Sequence, residues 1–111
     1  MQSCLIIPCH NEAHRLDRKA VETFMQSTPT IDLMMVDDGS VDSTAEVLQA
    51  LKSTTSDRLH VLCLASIQGK AEAVRAGVQA ALALNRFDVV VFSMLILPHR
   101  IRDGSVDRGF R

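Results

Sequence analysis

Val36-Asp37-Asp38-Gly39-Ser40-Val41-Asp42-Ser43-Thr44 is the stretch on which the fold turns. It continues the apolar run Ile31 to Val36, whose lack of alternation reads as a strand buried on both faces. Asp-Gly-Ser then breaks the run as a turn. Ser43 and Glu46 have capping-box spacing, and Ala45, Val47, Leu48 and Leu51 continue as a helix. The segment therefore reads as strand, acidic turn, helix.

The same order repeats on both sides. Upstream, Ser3 to Pro8 is an apolar strand, Asn11 is a candidate cap, and Leu16, Ala20, Val21 and Phe24 form a helical stripe. Ser27 to Thr30 is a break. Downstream, Ser53 to Asp57 is a polar loop and Leu59 to Ala65 a third strand. Gly69 to Leu84 reads as a helix with Val74, Val78, Ala81 and Leu82 on one side, and Asp88 to about Leu95 as a fourth strand. The β-α-β-α-β-α-β order predicts a three-layer α/β/α sandwich with a mainly parallel sheet. Ligands in such sheets bind beyond the carboxyl ends of the strands. That singles out Pro8 to Glu12, Asp37 to Ser40 and Ser66 to Lys70.

Composition narrows the function. At 111 residues the chain has the length of one small domain, with 47% hydrophobic and 23% charged residues. A formal net charge of −1 argues against binding nucleic acid or an anionic membrane by electrostatics. No apolar run reaches membrane-spanning length, and no basic region precedes the first apolar run, so a cytoplasmic chain is expected. Trp and Tyr are absent, which removes two stacking platforms for bases or sugars. Cys4, Cys9 and Cys63 lack CxxC spacing and read as reduced thiols. His10 and His14 flank Glu12 four residues apart, but in a loop or helix start rather than on a metal-binding helix face.

Three clusters remain as candidate chemistry. Asp37 and Asp38 at a strand end exceed what a turn requires; a carboxylate there can accept from a base edge or a ribose hydroxyl. Gly39 and Ser40 fit the turn itself. Asn11 and Glu12 read equally as a helix start, where Glu12 suits the dipole. Gly69-Lys70 opens a helix, and helix-start amides with a lysine attract phosphate. Arg75 is placed to reach a diphosphate or to form a surface ion pair. There is no Gly-x4-Gly-Lys-Ser/Thr loop, and no Gly-x-Gly-x-x-Gly follows the first strand.

In combination, Ile6-Ile7-Pro8-Cys9-His10-Asn11-Glu12 resembles the IPxYNE opening of family 2 glycosyltransferases. Val36 to Thr44 resembles their VDDGSxDxT segment, and Gly69-Lys70-Ala71-Glu72-Ala73-Val74-Arg75-Ala76-Gly77 their GKxxAVRxG helix start. The motifs occur in family order across residues 3 to about 92, nearest in flavour to the polyprenyl-phosphate (dolichyl-phosphate) sugar transferases. The resemblance implies a GT-A fold binding a UDP- or GDP-linked sugar. It places Pro8 and Glu12 by the nucleoside, Asp37 or Asp38 on the base or ribose, and Gly69 and Lys70 near the same pocket. A lipid-phosphate or other acceptor, at a peripheral membrane site, is implied for the full-length relative. Cys9-His10 departs from the commoner pair at that point.

The larger departure follows the fourth strand. The family carries Asp-x-Asp there, which holds Mg²⁺ or Mn²⁺ against the diphosphate. This chain has Phe92-Ser93-Met94-Leu95-Ile96-Leu97-Pro98, and Asp103 and Asp107 lie too far along to be equivalents. Read one base out of register, codons for Ser93 to His99 can spell Asp-Ala-Asp-Leu-Ala-Thr, so a single-base frameshift near Phe92–Ser93 is one expectation. The domain reading is a partial nucleotide-sugar-binding domain over 1–95 and an irregular tail over 96–111, with four arginines and two glycines after Leu97. The Asp-Gly-Ser-Val-Asp echo at 38–42 and 103–107 follows a strand only once. Two functions follow: a glycosyltransferase, inactive in this truncated form, or a non-catalytic nucleotide-binding fragment. A receiver-like regulator ranks below both. Exposed Met94, Leu95 and Ile96 are expected to promote self-association.

Overall fold

Along the two central strands, β1 (Ser3–Cys9) and β2 (Ile31–Asp38), successive side chains enter alternate buried faces, as the strand period of two requires. The computed structural model describes residues 2–14, 16–55 and 57–93. On one face Ile7, Cys9, Leu33 and Met35 pack with Val21 and Met25 of α1 (Arg18–Ser27) and Leu48 and Leu51 of α2 (Thr44–Thr54). On the other, Cys4, Ile6, Met34 and Val36 pack with Ala73 and Ala81 of α3 (Lys70–Ala83). This is the expected three-layer sandwich.

The sheet is parallel throughout, in the order β3-β2-β1-β4, with β3 at Leu59–Leu64 and β4 at Val89–Phe92. Right-handed crossovers account for the layers. Two steps in one direction, β1 to β2 to β3, put α1 and α2 on one face; the return from β3 across to β4 puts α3 on the other. The direction reverses between β1 and β4, a topological switch point. Order 3-2-1-4 is that of dinucleotide-binding sheets; the flavodoxin-like order 2-1-3-4 of receiver-like regulators is excluded.

Helix α3 comes close to the sheet because it carries Gly77 there. A Cβ at Gly77 would lie 2.6 Å from Ile6 Cγ2 and 2.8 Å from Val36 Cγ2. At the amino-terminal end of the sheet, fully buried Asp32 accepts from Gln2 Nε2 at 2.8 Å, from His60 Nε2 at 2.8 Å and from Arg86. This carboxylate ties β1, β2, β3 and the α3–β4 connection together. Arg58 donates to the carbonyls of Met25, Thr28 (3.0 Å) and Ile31 (2.6 Å), closing the end of α1 against β2.

Several local expectations are corrected. α1 is capped by Asp17, which accepts from the Ala20 amide at 3.1 Å, and not by Asn11. Ser43 makes no side-chain capping bond to α2. On α3 the buried positions are Ala73, Val74, Gly77 and Ala81, whereas Leu82 is 61% exposed. β3 buries only Leu59 fully, and β4 is largely exposed. The tail over 96–111, Asp103, Asp107 and the proposed self-association surface at Met94 to Ile96 lie outside the described residues.

Candidate functional site

Three of the expected clusters converge at the carboxyl ends of adjacent strands. Register pairs Cys9 with Asp37 and Asp38 with Leu64, so the segments after β1, β2 and β3 emerge side by side. Pro8, Glu12, Asp37 and Asp38 are buried there.

The two neighbouring acids do not share a site. Asp37 lies on the α1–α2 face of β2, in phase with Leu33 and Met35, and its Oδ1 accepts from the Ser40 amide at 3.2 Å. Asp38 lies on the α3 face, in phase with Met34 and Val36. Its Oδ1 accepts from the Gln68 amide at 2.7 Å and its Oδ2 from the Gly69 amide at 3.0 Å. The mutual repulsion expected of adjacent carboxylates is reduced by the strand pleat.

Gly39 makes the connection possible. Its φ is +61°, and a Cβ there would lie 2.2 Å from the Ile67 nitrogen and 2.3 Å from the Ser66 carbonyl carbon. The turn after β2 thus touches the backbone after β3. Gly69, at φ +98°, lies in the residue before α3, which has no side-chain cap of its own.

A second set of bonds joins the β1 and β2 loops. Asn11, at φ +53°, donates its amide to Ser40 Oγ at 2.9 Å and accepts from the Val41 amide on Oδ1 at 3.0 Å. His10 Nδ1 lies 2.8 Å from the Asp38 carbonyl oxygen. A carbonyl only accepts, so Nδ1 carries the proton and Nε2 accepts from Asn11 Nδ2 at 3.3 Å. The Glu12 amide donates to the buried Thr44 Oγ1 at 2.8 Å. Thr44 in turn donates its hydroxyl and its amide to Asp42 Oδ1. That hydroxyl bond, foremost, holds the Asp42 carboxyl below its usual range.

Burial, then the charges of Glu12 and Asp37, push the Cys9 thiol up to about 12. Burial, then Asp32, push Cys4 up to about 11. Neither is an available nucleophile. Lys70 is exposed at the first turn of α3, and Arg75 forms an exposed ion pair with Glu72 at 3.5 Å. No hydrogen bond or ion pair joins either cation to the cluster among the described residues.

The donor set at the end of β4 does not fit the divalent cation implied by the family resemblance. Phe92 and Ser93 supply no carboxylate, and no group of three His, Cys, Asp or Glu side chains among the described residues could hold a metal. Sequence reasoning also missed the part played by Thr44 and the Gln68 amide. Thr44 ends the acidic motif, but only the fold brings it to Glu12.

The sequence profile of glycosyl transferase family 2 matches residues 4–92. An uncharacterized glycosyltransferase of Nostoc sp. is 32% identical over 81 residues, covering 73% of this chain and 25% of the relative. An uncharacterized protein of Methanocaldococcus jannaschii is 27% identical over 89 residues, covering 78% and 37%. The chain thus spans 25% to 37% of the length of these curated relatives. Among solved structures, the mannosyltransferase PcManGT from Pyrobaculum calidifontis, in complex with GDP-Man and Mn²⁺, superimposes with a TM-score of 0.61 at 23% identity, covering 71% of this chain and 24% of that one. TarS from S. aureus gives 0.63 at 16% identity, covering 99% and 20%. These structural likenesses show a shared fold.

Proposed function

The chain belongs to glycosyl transferase family 2, and we propose that residues 2–93 form the nucleotide-sugar-binding part of such an enzyme. The observation that carries the reading is the burial of Glu12 and Asp37 after adjoining strands, with the neighbouring Asp38 accepting from the Gly69 amide at the start of α3. In this reading the nucleoside lies along Pro8, Asn11 and Glu12. Asp37 accepts hydrogen bonds from a base edge or ribose hydroxyl. Gly39 and Ser40 shape the turn beneath it, and Lys70, with Arg75 further along α3, offers positive charge to the diphosphate. A GDP- or UDP-linked sugar is the proposed ligand, and the GDP-Man held by the Pyrobaculum mannosyltransferase supports that class. Transfer to a lipid phosphate or another acceptor, in the cytoplasm, is the proposed activity of the whole enzyme. No helix among the described residues is long and apolar enough to cross a membrane.

A second reading is favoured by the donor set at the end of β4: the 111-residue chain acts as a non-catalytic nucleotide-binding fragment. A divalent cation there would supply charge neutralisation of a departing diphosphate, and Phe92 and Ser93 offer no carboxylate to hold one. Calorimetric titration with GDP-mannose and UDP-sugars, with and without Mn²⁺, separates the two. Weak, Mn²⁺-independent binding supports the fragment. Tight Mn²⁺-dependent binding with sugar turnover supports a catalytically competent transferase domain. No binding of either nucleotide class overturns both.

A further inference from the structure

We propose that β4 is a latched strand: it detaches from β1 as a unit while the rest of the sheet stays folded, and a polar lock at its amino-terminal end sets how often it does so. The opening itself does not rest on the nucleotide-binding reading above.

The two edge strands of the sheet are held by different chemistry. β3 pairs with β2 over six residues, buries Leu59 completely, and has the Leu59 carbonyl bonded by Lys52 Nζ of α2 at 2.9 Å. β4 pairs with β1 over four residues, and none of those four is buried. Val90 packs against the cluster on the α3 face, but Val89, Val91 and Phe92 are exposed. Apolar burial, the usual glue of a strand, is therefore thin along β4. Segments with few buried apolar contacts open at lower free energy than the core.

What holds β4 is polar and sits where the strand begins. The Asp88 amide donates to the Gln2 carbonyl at 2.7 Å, and Asp88 Oδ2 accepts from the Gln2 amide at 2.9 Å. Two residues earlier, Arg86 donates to the fully buried Asp32, which also accepts from Gln2 Nε2 at 2.8 Å. Phe87 between them meets the His60 ring edge-on, with centroids 6.4 Å apart. Three consecutive residues thus fasten the entry of β4 to β1, β2 and β3. Hydrogen bonds to charged groups are the stronger kind, so the lock outweighs its small area. At the far end the Ser93 amide donates to the neutral Ile6 carbonyl at 2.9 Å, just short of Pro8. Opening withdraws that end of β4 from the strand end that carries Pro8 to Glu12.

Exchange through a local opening responds only to the interactions which that opening breaks. The test is amide exchange of the 111-residue chain, followed by NMR without nucleotide, on wild type, Asp88→Ala and Lys52→Ala. In wild type the protected amides from Val90 to Ser93 should open at least roughly tenfold more often than those of β2, with less than about half their urea dependence. Asp88→Ala should speed β4 exchange roughly fivefold. Lys52→Ala loosens β3 and should speed β2 exchange while β4 stays within about twofold of wild type. Asp88→Asn, which keeps one acceptor oxygen, should fall between wild type and Asp88→Ala, and it carries the test if the alanine variant fails to fold. Equal opening and equal urea dependence in β4 and β2 overturn the proposal, because the sheet then opens as one piece. So does unchanged β4 exchange in both Asp88 variants, or a Lys52→Ala protein in which β4 and β2 speed up alike.

Discussion

The backbone amide of Glu12 donates to Thr44 Oγ1 at 2.8 Å, joining the end of β1 to the first residue of α2. Thr44 is fully buried and donates its own hydroxyl to Asp42 Oδ1, so one hydroxyl serves two loops. Thr44→Val keeps the shape and removes the acceptor, leaving a buried amide unsatisfied at a cost of about 1–3 kcal/mol. Thr44→Ser should retain most of the stability. Urea midpoints of the two variants check this; equal midpoints would mean that the hydroxyl contributes nothing.

The same chain of bonds sets an acid limb. Thr44 keeps the Asp42 carboxyl below its ordinary range. The stabilisation is complete above the ordinary carboxylate value and is lost as pH falls through the lowered one. Asp42→Asn should flatten stability against pH below about 4 relative to wild type. Parallel acid-unfolding curves for the two proteins would contradict the assignment.

How much of this was legible beforehand differs between fold and site. The apolar runs at Leu5 to Ile7 and Ile31 to Val36 announced strands buried on both faces, and they are. The clusters at Pro8 to Glu12, Asp37 to Ser40 and Gly69-Lys70 were found because polar residues at strand ends lack a packing reason. Which face each acid takes was hidden only in part, since the strand period of two already separates Asp37 from Asp38. The partners of Asp38 were not legible, because the Gln68 and Gly69 amides carry no side-chain signature. Asn11 was read as a cap for the same reason: its left-handed backbone and its bonds to Ser40 and Val41 depend on a loop some thirty residues away.

Gly77 sets the spacing between α3 and the sheet. Gly77→Ala places a Cβ 2.6 Å from Ile6 and 2.8 Å from Val36, at an expected cost of about 1–3 kcal/mol. Gly39→Ala should cost more, because it meets unyielding backbone at 2.2 Å and also a φ of +61°. Thermal unfolding ranks them; a Gly39→Ala protein as stable as wild type would refute the close approach.

Asp32 is fully buried and shared among three donors, of which the Arg86 guanidinium is half exposed. Arg86→Ala leaves the carboxylate short of a partner and should destabilise by about 2–3 kcal/mol, below the range for a fully buried pair because His60 and Gln2 remain. Adding Asp32→Asn removes the orphaned charge and should recover part of that loss. A double variant less stable than either single one would contradict the network.

Thiol chemistry gives an independent reading of the core. Cys4 and Cys9 are buried and Cys63 is exposed. A thiol reagent should label one cysteine quickly in the native protein and all three only after unfolding. Above pH 9 the unfolded chain releases thiol protons that native Cys4 and Cys9 hold to about 11 and 12, so stability should fall over that interval. Rapid native labelling of Cys9 would place the strand ends in solvent.

The nucleotide site itself is tested most directly by amide shift mapping of the 111-residue chain during a GDP titration. Shifts should concentrate at Asn11, Glu12, Asp37 to Ser40 and Gly69-Lys70, with residues around Asp32, His60 and Arg86 at the opposite end of the sheet unmoved. Saturating shifts confined to that opposite end, or none at millimolar GDP, would contradict a nucleotide-sugar site at the carboxyl ends of β1 and β2.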